Sequence, residues 1–147
     1  MSNEPIVVEK NINASPQKIW AALTDKNLMK QWYFDIVDFT PEVGSEFSFI
    51  GKDHDCVEWV HLCRITEVIP NKKLSHTWRY EGQPGDSEVT WNLLDEGEGT
   101  RVKLTHAGLE TFPPIPALAK DNFVQGWKEI VGSMLPKFLK VRRNIPT

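Results

Sequence analysis

The stretch that decides the fold is DNFVQGWKEIVGSMLPKFLK, residues 121–140. Its apolar residues are Phe123, Val124, Trp127, Ile130, Val131, Met134, Leu135, Phe138 and Leu139. Steps of three and four residues place them on one face of a helix and fit no strand. Twenty helical residues run roughly 30 Å, about the width of a small domain. So long an apolar stripe needs a cover. Almost everything upstream reads as strands, so the expected cover is a sheet. Pro136 lies inside the helix, where it removes a hydrogen bond and crowds the carbonyl of Gly132. A kink in the last two turns is expected there, read as a local bend. The alternative is a hinge at a cavity mouth.

Working back from the helix, Gly108 to Lys120 carries Pro113, Pro114 and Pro116 and cannot be a central strand. It is expected to carry the chain from the sheet edge across the rim of any cavity. Before it come period-two segments separated by short turns: Val57–Ile69, Leu74–Tyr80, Ser87–Leu94 and Thr100–Ala107. Glu46–Ile50 alternates as well, with Phe47 and Phe49 inward, and a further short strand is expected around Val37 and Phe39. Ile6–Ile12 is β-branched and reads as the first strand. Ser15-Pro16 then starts a helix with an N-cap and a proline at the first helical position. Thr24-Asp25 restarts a second, making a helical corner. The fold class is therefore α+β. A curved antiparallel sheet of about six to seven strands wraps a long C-terminal helix, and two short helices stand between strands one and two.

Length and composition set the frame. The chain has 147 residues, 40% hydrophobic, with six tryptophans and a formal net charge of −3. One domain over residues 1–147 is expected, with a real core. No basic stretch suggests nucleic acid. No long apolar run or leader is seen, so neither a membrane-spanning nor a secreted protein is expected. The two cysteines, Cys56 and Cys63, are placed on one strand, which favours a reduced, cytoplasmic setting over a disulfide.

The ordered set of local motifs resembles a known family. It comprises ASPQKIWAALTD (14–25) followed by Trp32, VGSEF (43–47), ITEVIPNKKLSHTW (65–78), GTRVKLTHAG (99–108) and GWKEIVGSML (126–135). Together they resemble the activator of heat-shock protein 90 ATPase homologue-like (AHSA-like) family, within the START and birch-pollen-allergen-like (SRPBCC) superfamily. The resemblance implies a helix-grip fold with a hydrophobic cavity, but no single activity. The superfamily holds lipid and hormone carriers, polyketide cyclases and a co-chaperone domain. The family name carries a stress-response association. The length matches the single domain and leaves no room for the extra N-terminal domain of the eukaryotic co-chaperone, which counts against a chaperone-activating role.

Alternation points Trp59, Trp78, Trp91 and Tyr80 to the concave face, together with His61, His76 and His106. Trp127 and Val131 face them from the helix. A turn setting Ile69 opposite Leu74 would pair Glu67 with His76, Ile65 with Trp78 and Cys63 with Tyr80, and bring His76 beside Trp91. A buried Glu67–His76 pair could orient a ligand or act as acid and base. The plainer reading puts Glu67 near solvent at the strand end. No metal-ligand spacing, elbow serine or cofactor motif is present. Three tryptophans shrink the interior, favouring a small or flat ligand over a sterol. The leading expectation is a non-enzymatic binder of an apolar small molecule or lipid-like ligand. The alternatives are a cyclase or dehydratase using Glu67, His76 or His106, and a protein-interaction module with a chaperone partner. The last would need an apolar outer face, whereas Arg79, Thr90, Asn92, Arg101, Lys103 and Thr105 make that face polar.

Overall fold

The computed structural model describes residues 4–33, 36, 38–52 and 56–143, the last three by backbone alone. Six strands form one antiparallel sheet: β1 Ile6–Ile12, β2 Glu46–Lys52, β3 Glu58–Ile69, β4 Lys73–Tyr80, β5 Ser87–Asp95 and β6 Thr100–Ala107. Their order is β1-β6-β5-β4-β3-β2. The chain thus runs as a meander from β2 to β6, and the first strand closes onto the last, with Ile6 opposite His106. Buried and exposed residues alternate along β5 and β6, as a sheet with one covered face requires.

The helical corner follows from its caps. Ser15 Oγ accepts from the Lys18 N–H at 3.3 Å, with Pro16 starting α1 (Pro16–Thr24). Asp25 serves two helices. Its N–H closes α1 on the Ala21 carbonyl at 2.8 Å. Its carboxylate accepts from Asn27 at 2.9 Å and Leu28 at 3.3 Å to open α2 (Lys26–Trp32). The Trp32 indole N–H, donating to the Ala22 carbonyl at 2.9 Å, folds α2 back on α1.

The long helix spans α3 Lys120–Glu129, a π turn at Ile130–Met134 and α4 Leu135–Arg143. Trp127, Val131, Leu135 and Leu139 are buried at four-residue spacing, the line of contact with the sheet. The irregularity at Pro136 falls one turn earlier than the expected kink. Proline offers no N–H to the Gly132 carbonyl, and the preceding turn widens so that the Leu135 N–H reaches Ile130 O, five residues back. The apolar face continues beyond it.

Three expectations need correction. Cys56 precedes β3 and lies in no strand, so it does not share one with Cys63. Among the described residues there is no strand around residue 39. Ile36 and Phe39 are buried but outside any strand, and Phe39 packs edge-on against Phe47 at 5.0 Å. Val37, on which that strand partly rested, lies outside the described residues, as do 53–55 of the expected turn after β2. The β3–β4 register also differs. Asn71 adopts φ 64°, giving a three-residue loop that sets Ile69 opposite Lys73. A bulge between Ile65 and Glu67 then shifts the count again, so that Ile65 faces His76, Glu67 faces Ser75 and His61 faces Tyr80. One extra residue reverses the face on which a side chain emerges, so Glu67 turns outward. In the next pair His76 stands opposite Val89, and Trp91 pairs with Leu74 and Leu104.

The double cap makes a testable demand. Asp25→Ala removes the oxygen that caps α2 and is expected to cost about 0.5–2 kcal/mol. Asp25→Asn should retain most of the stability. Urea unfolding of the two variants measures both values.

Candidate functional site

The sheet's concave face and the long helix part at one end. There they enclose an open cavity of about 480 Å³, within the usual size range of small-molecule sites. One wall is Gly51 and Lys52 of β2, Trp59 and His61 of β3, and Trp78 and Tyr80 of β4. The opposite wall is Phe123, Trp127 and Ile130, with the helix flank Asn122, Gln125, Gly126 and Glu129. Ala117 and Leu118, in the proline-rich connector, close the end. The connector is held there by close packing. A Cβ on Gly85 would come within 2.5 Å of Phe112 and 2.6 Å of the Thr111 carbonyl oxygen, so only glycine fits. The Asp86 N–H donates to Thr111 Oγ1 at 2.9 Å. Phe112 then lies 5.5 Å from Tyr80 and stacks on Phe123 at 6.1 Å.

The wall rings hold one another in place. His61 stacks on Phe49 at 4.3 Å and meets Trp78 and Tyr80 edge-on, both at 4.8 Å. Trp59 stands edge-on to Tyr80 at 5.5 Å. Edge and offset contacts of this kind add to burial and fix ring orientation.

Behind the cavity runs a directional hydrogen-bond chain. The Trp127 indole N–H donates to His106 Nδ1 at 3.0 Å. An indole can only donate, so Nδ1 is unprotonated and the neutral ring carries its proton on Nε2. That N–H donates to Ser87 Oγ at 2.8 Å, and the Ser87 hydroxyl donates to the Trp78 carbonyl at 2.7 Å. His106 is fully buried. Desolvation, with His76 nearby, lowers its pKa to about 3. His61 and His76 instead donate from Nδ1, to the Trp59 carbonyl at 3.0 Å and the Thr77 carbonyl at 2.9 Å. Burial lowers each to about 4 against the opposing pull of its backbone bond.

Five of the ten residues singled out from sequence therefore line the cavity: Trp59, His61, Trp78, Tyr80 and Trp127. His106 supports Trp127 from behind. Trp91 touches the far side of Trp127, edge-on at 5.9 Å. Trp91 and His76 border a separate void of only about 10 Å³, room for little more than one water. Val131 is packed in the helix–sheet core. Glu67 is the clear correction. It forms an ion pair with Lys73 at 2.9 Å, and the bulge, not a hydrogen bond to His76, decides its direction. Among the described residues, no group of three or more His, Cys, Asp or Glu side chains could hold a metal ion. The buried Cys63 thiol is pushed well above its usual range by desolvation. Sequence reading missed the helix flank, because polar residues there look like a solvated face. Its one signal was Gly126, a glycine inside a strong amphipathic helix. The cavity also lies beside the first half of the helix, lined there from Asn122 to Ile130, and not at the Pro136 bend whose alternative reading was a hinge at a cavity mouth.

Comparison with known proteins agrees with this architecture. The family model described as "Activator of Hsp90 ATPase homolog 1-like protein" matches residues 13–140. The chain belongs to that family. A solved protein from Mesorhizobium loti is 30% identical over 97% of this chain and 99% of its own, with a TM-score of 0.78. CalU16 from Micromonospora echinospora is 26% identical over 97% of this chain and 76% of its own, at TM-score 0.71. DynU16, from the dynemicin biosynthetic locus, shares the fold at 20% identity and TM-score 0.77. The chain spans 95% of its own length in that match but only 48% of DynU16. No curated protein matches the chain. The family and its SRPBCC-type helix-grip fold are thus established. Among the described residues, no helix is long and apolar enough to cross a membrane.

The three buried histidines predict an acid-sensitive fold. Each folded pKa lies below the unfolded value of about 6.5, so the unfolded chain binds protons that the folded chain refuses. Their contribution is complete above pH ~6.5 and is lost as pH falls toward ~4 for His61 and His76 and toward ~3 for His106, at up to about 1.4 kcal/mol per pH unit for each histidine. Urea unfolding at pH 7.5, 6 and 5 should show stability falling steeply below pH 6.5. Constant stability across that range would contradict it.

Proposed function

We propose that this chain is a non-enzymatic carrier or sensor of a small, flat, largely apolar molecule, held between the aromatic wall of β3 and β4 and the first half of the long helix. One observation carries the reading. The sheet–helix interior is packed tight at one end, leaving about 10 Å³, while the other end opens into about 480 Å³ lined by Trp59, His61, Trp78, Tyr80, Phe123 and Trp127. Rings whose orientations are fixed by one another offer a preorganised apolar slot, which saves the ordering cost of binding.

The acid–base alternative finds less support. Glu67 is ion-paired with Lys73 on the outer side. His106 has both nitrogens committed. His76 borders the small void. Of the three groups proposed for a cyclase or dehydratase, none lines the large cavity. The same reading takes residues 1–147 as one ligand-binding unit working in the cytoplasm, with neither a nucleic acid nor a chaperone as its principal partner.

Gly126 gives the direct test. It lies inside α3, where glycine costs about 1 kcal/mol relative to a good helix former. It lines the cavity, and a Cβ built on it meets no heavy atom within 4 Å. Gly126→Leu should therefore stabilise the helix while filling the mouth. The expected result is a gain of about 0.5–1 kcal/mol in urea unfolding, together with at least a tenfold loss of affinity for 1-anilinonaphthalene-8-sulfonate measured by fluorescence. Unchanged dye binding in the stabilised variant would place the site elsewhere and sink the proposal.

A further inference from the structure

The cavity wall contains one buried hydroxyl whose proton meets no acceptor among the described residues. The Trp78 indole N–H donates to the Tyr80 hydroxyl at 2.8 Å. The indole cannot accept, so the Tyr80 oxygen receives that bond and its own O–H must point elsewhere. Two other N–H groups of the lining rings are already committed. The Trp127 N–H is on His106, and the His61 Nδ1–H is on the Trp59 carbonyl. Tyr80 is 5% exposed, and burial raises its pKa so that the phenol keeps its proton. Accepting from Trp78 polarises the O–H and makes it a stronger donor.

The surroundings of Tyr80 define what it would bind. Its ring is bordered by Trp59 at 5.5 Å, His61 at 4.8 Å and Phe112 at 5.5 Å. The charged members of the lining, Lys52 and Glu129, are exposed at the rim. A carboxylate pushed against the inner wall would lose its hydration with no cation to offset it. A neutral oxygen acceptor carries no such cost.

We propose that Tyr80 is the anchoring donor for a neutral carbonyl-type oxygen at the inward end of a flat apolar ligand. This rests on the cavity-binding function above and narrows it to ketones, esters, quinones or related compounds. The ring system lies among the aromatic side chains, and any charged substituent stays outward beside Lys52 and Glu129.

Two probes of similar shape test it, 2-acetonaphthone and 2-ethylnaphthalene, which differ in the carbonyl. Tyr80→Phe should weaken the ketone about 3- to 10-fold, the range of one neutral hydrogen bond, and leave the hydrocarbon unchanged. Equal effects on both probes, or none on either, overturn the proposal while leaving the cavity function standing. Binding of neither probe to the wild-type protein overturns both. Because Tyr80→Phe strips an acceptor from the buried Trp78 N–H, a second measurement uses the wild-type protein alone. The infrared carbonyl stretch of bound 2-acetonaphthone should lie below its position in hexane. An unshifted band overturns the anchor whether or not the variant folds.

Discussion

The structure depends on one run of hydrogen bonds, from the Trp127 indole through His106 and Ser87 to the Trp78 carbonyl. Apolar contact alone holds a helix to a sheet without direction, since one methyl slides past another at little cost. A buried chain of donors and acceptors does have direction. It is satisfied in one arrangement, and a displaced helix would leave buried polar atoms unpaired at about 1–3 kcal/mol each. The chain links β4, β5 and β6 to the helix and sets where Trp127 stands. Trp127 in turn divides the interior, touching Trp91 and His106 behind and lining the cavity in front.

The uneven filling of the interior follows from that division. Toward the helical corner, Trp32, Phe39, Phe47, His76 and Trp91 close the space to a void of about 10 Å³. Toward the connector, the rings brace one another across β2, β3 and β4 while the facing helix flank carries Gly126, which contributes no side chain. A pocket persists in a protein interior only where the neighbouring groups cannot collapse into it. Here the rings are wedged by edge-on contacts, and the connector is locked through Gly85, Thr111 and Phe112.

Much of this was legible in the sequence, for physical reasons. The long apolar stripe, the caps at Ser15 and Asp25 and the alternation in β4, β5 and β6 are local patterns, and the motif order matched the family. What escaped depended on single residues. The bulge before Glu67 carries no glycine or proline to mark it, yet it turned a buried acid–base pair into an outward ion pair. Asn71 did carry a signal, since asparagine tolerates a left-handed conformation, and a three-residue loop was the register it offered. The strand expected near residue 39 rested on the alternation of Val37 and Phe39, but Phe39 reaches the core from outside any strand. At the cavity, inward rings were readable from strand parity. The helix flank was not, because whether Asn122, Gln125 and Glu129 face water or a cavity rim depends on how deeply the helix sits.

The tautomer of His106 tests the central claim most directly, because the whole chain of donors runs through it. Long-range ¹H–¹⁵N spectra of the histidine rings report which nitrogen holds the proton. The account predicts that His106 is neutral at pH 7 with its proton on Nε2, while His61 and His76 carry theirs on Nδ1. A proton on Nδ1 of His106, or a doubly protonated ring, would break the link to Trp127 and contradict the account of how this helix is held against its sheet.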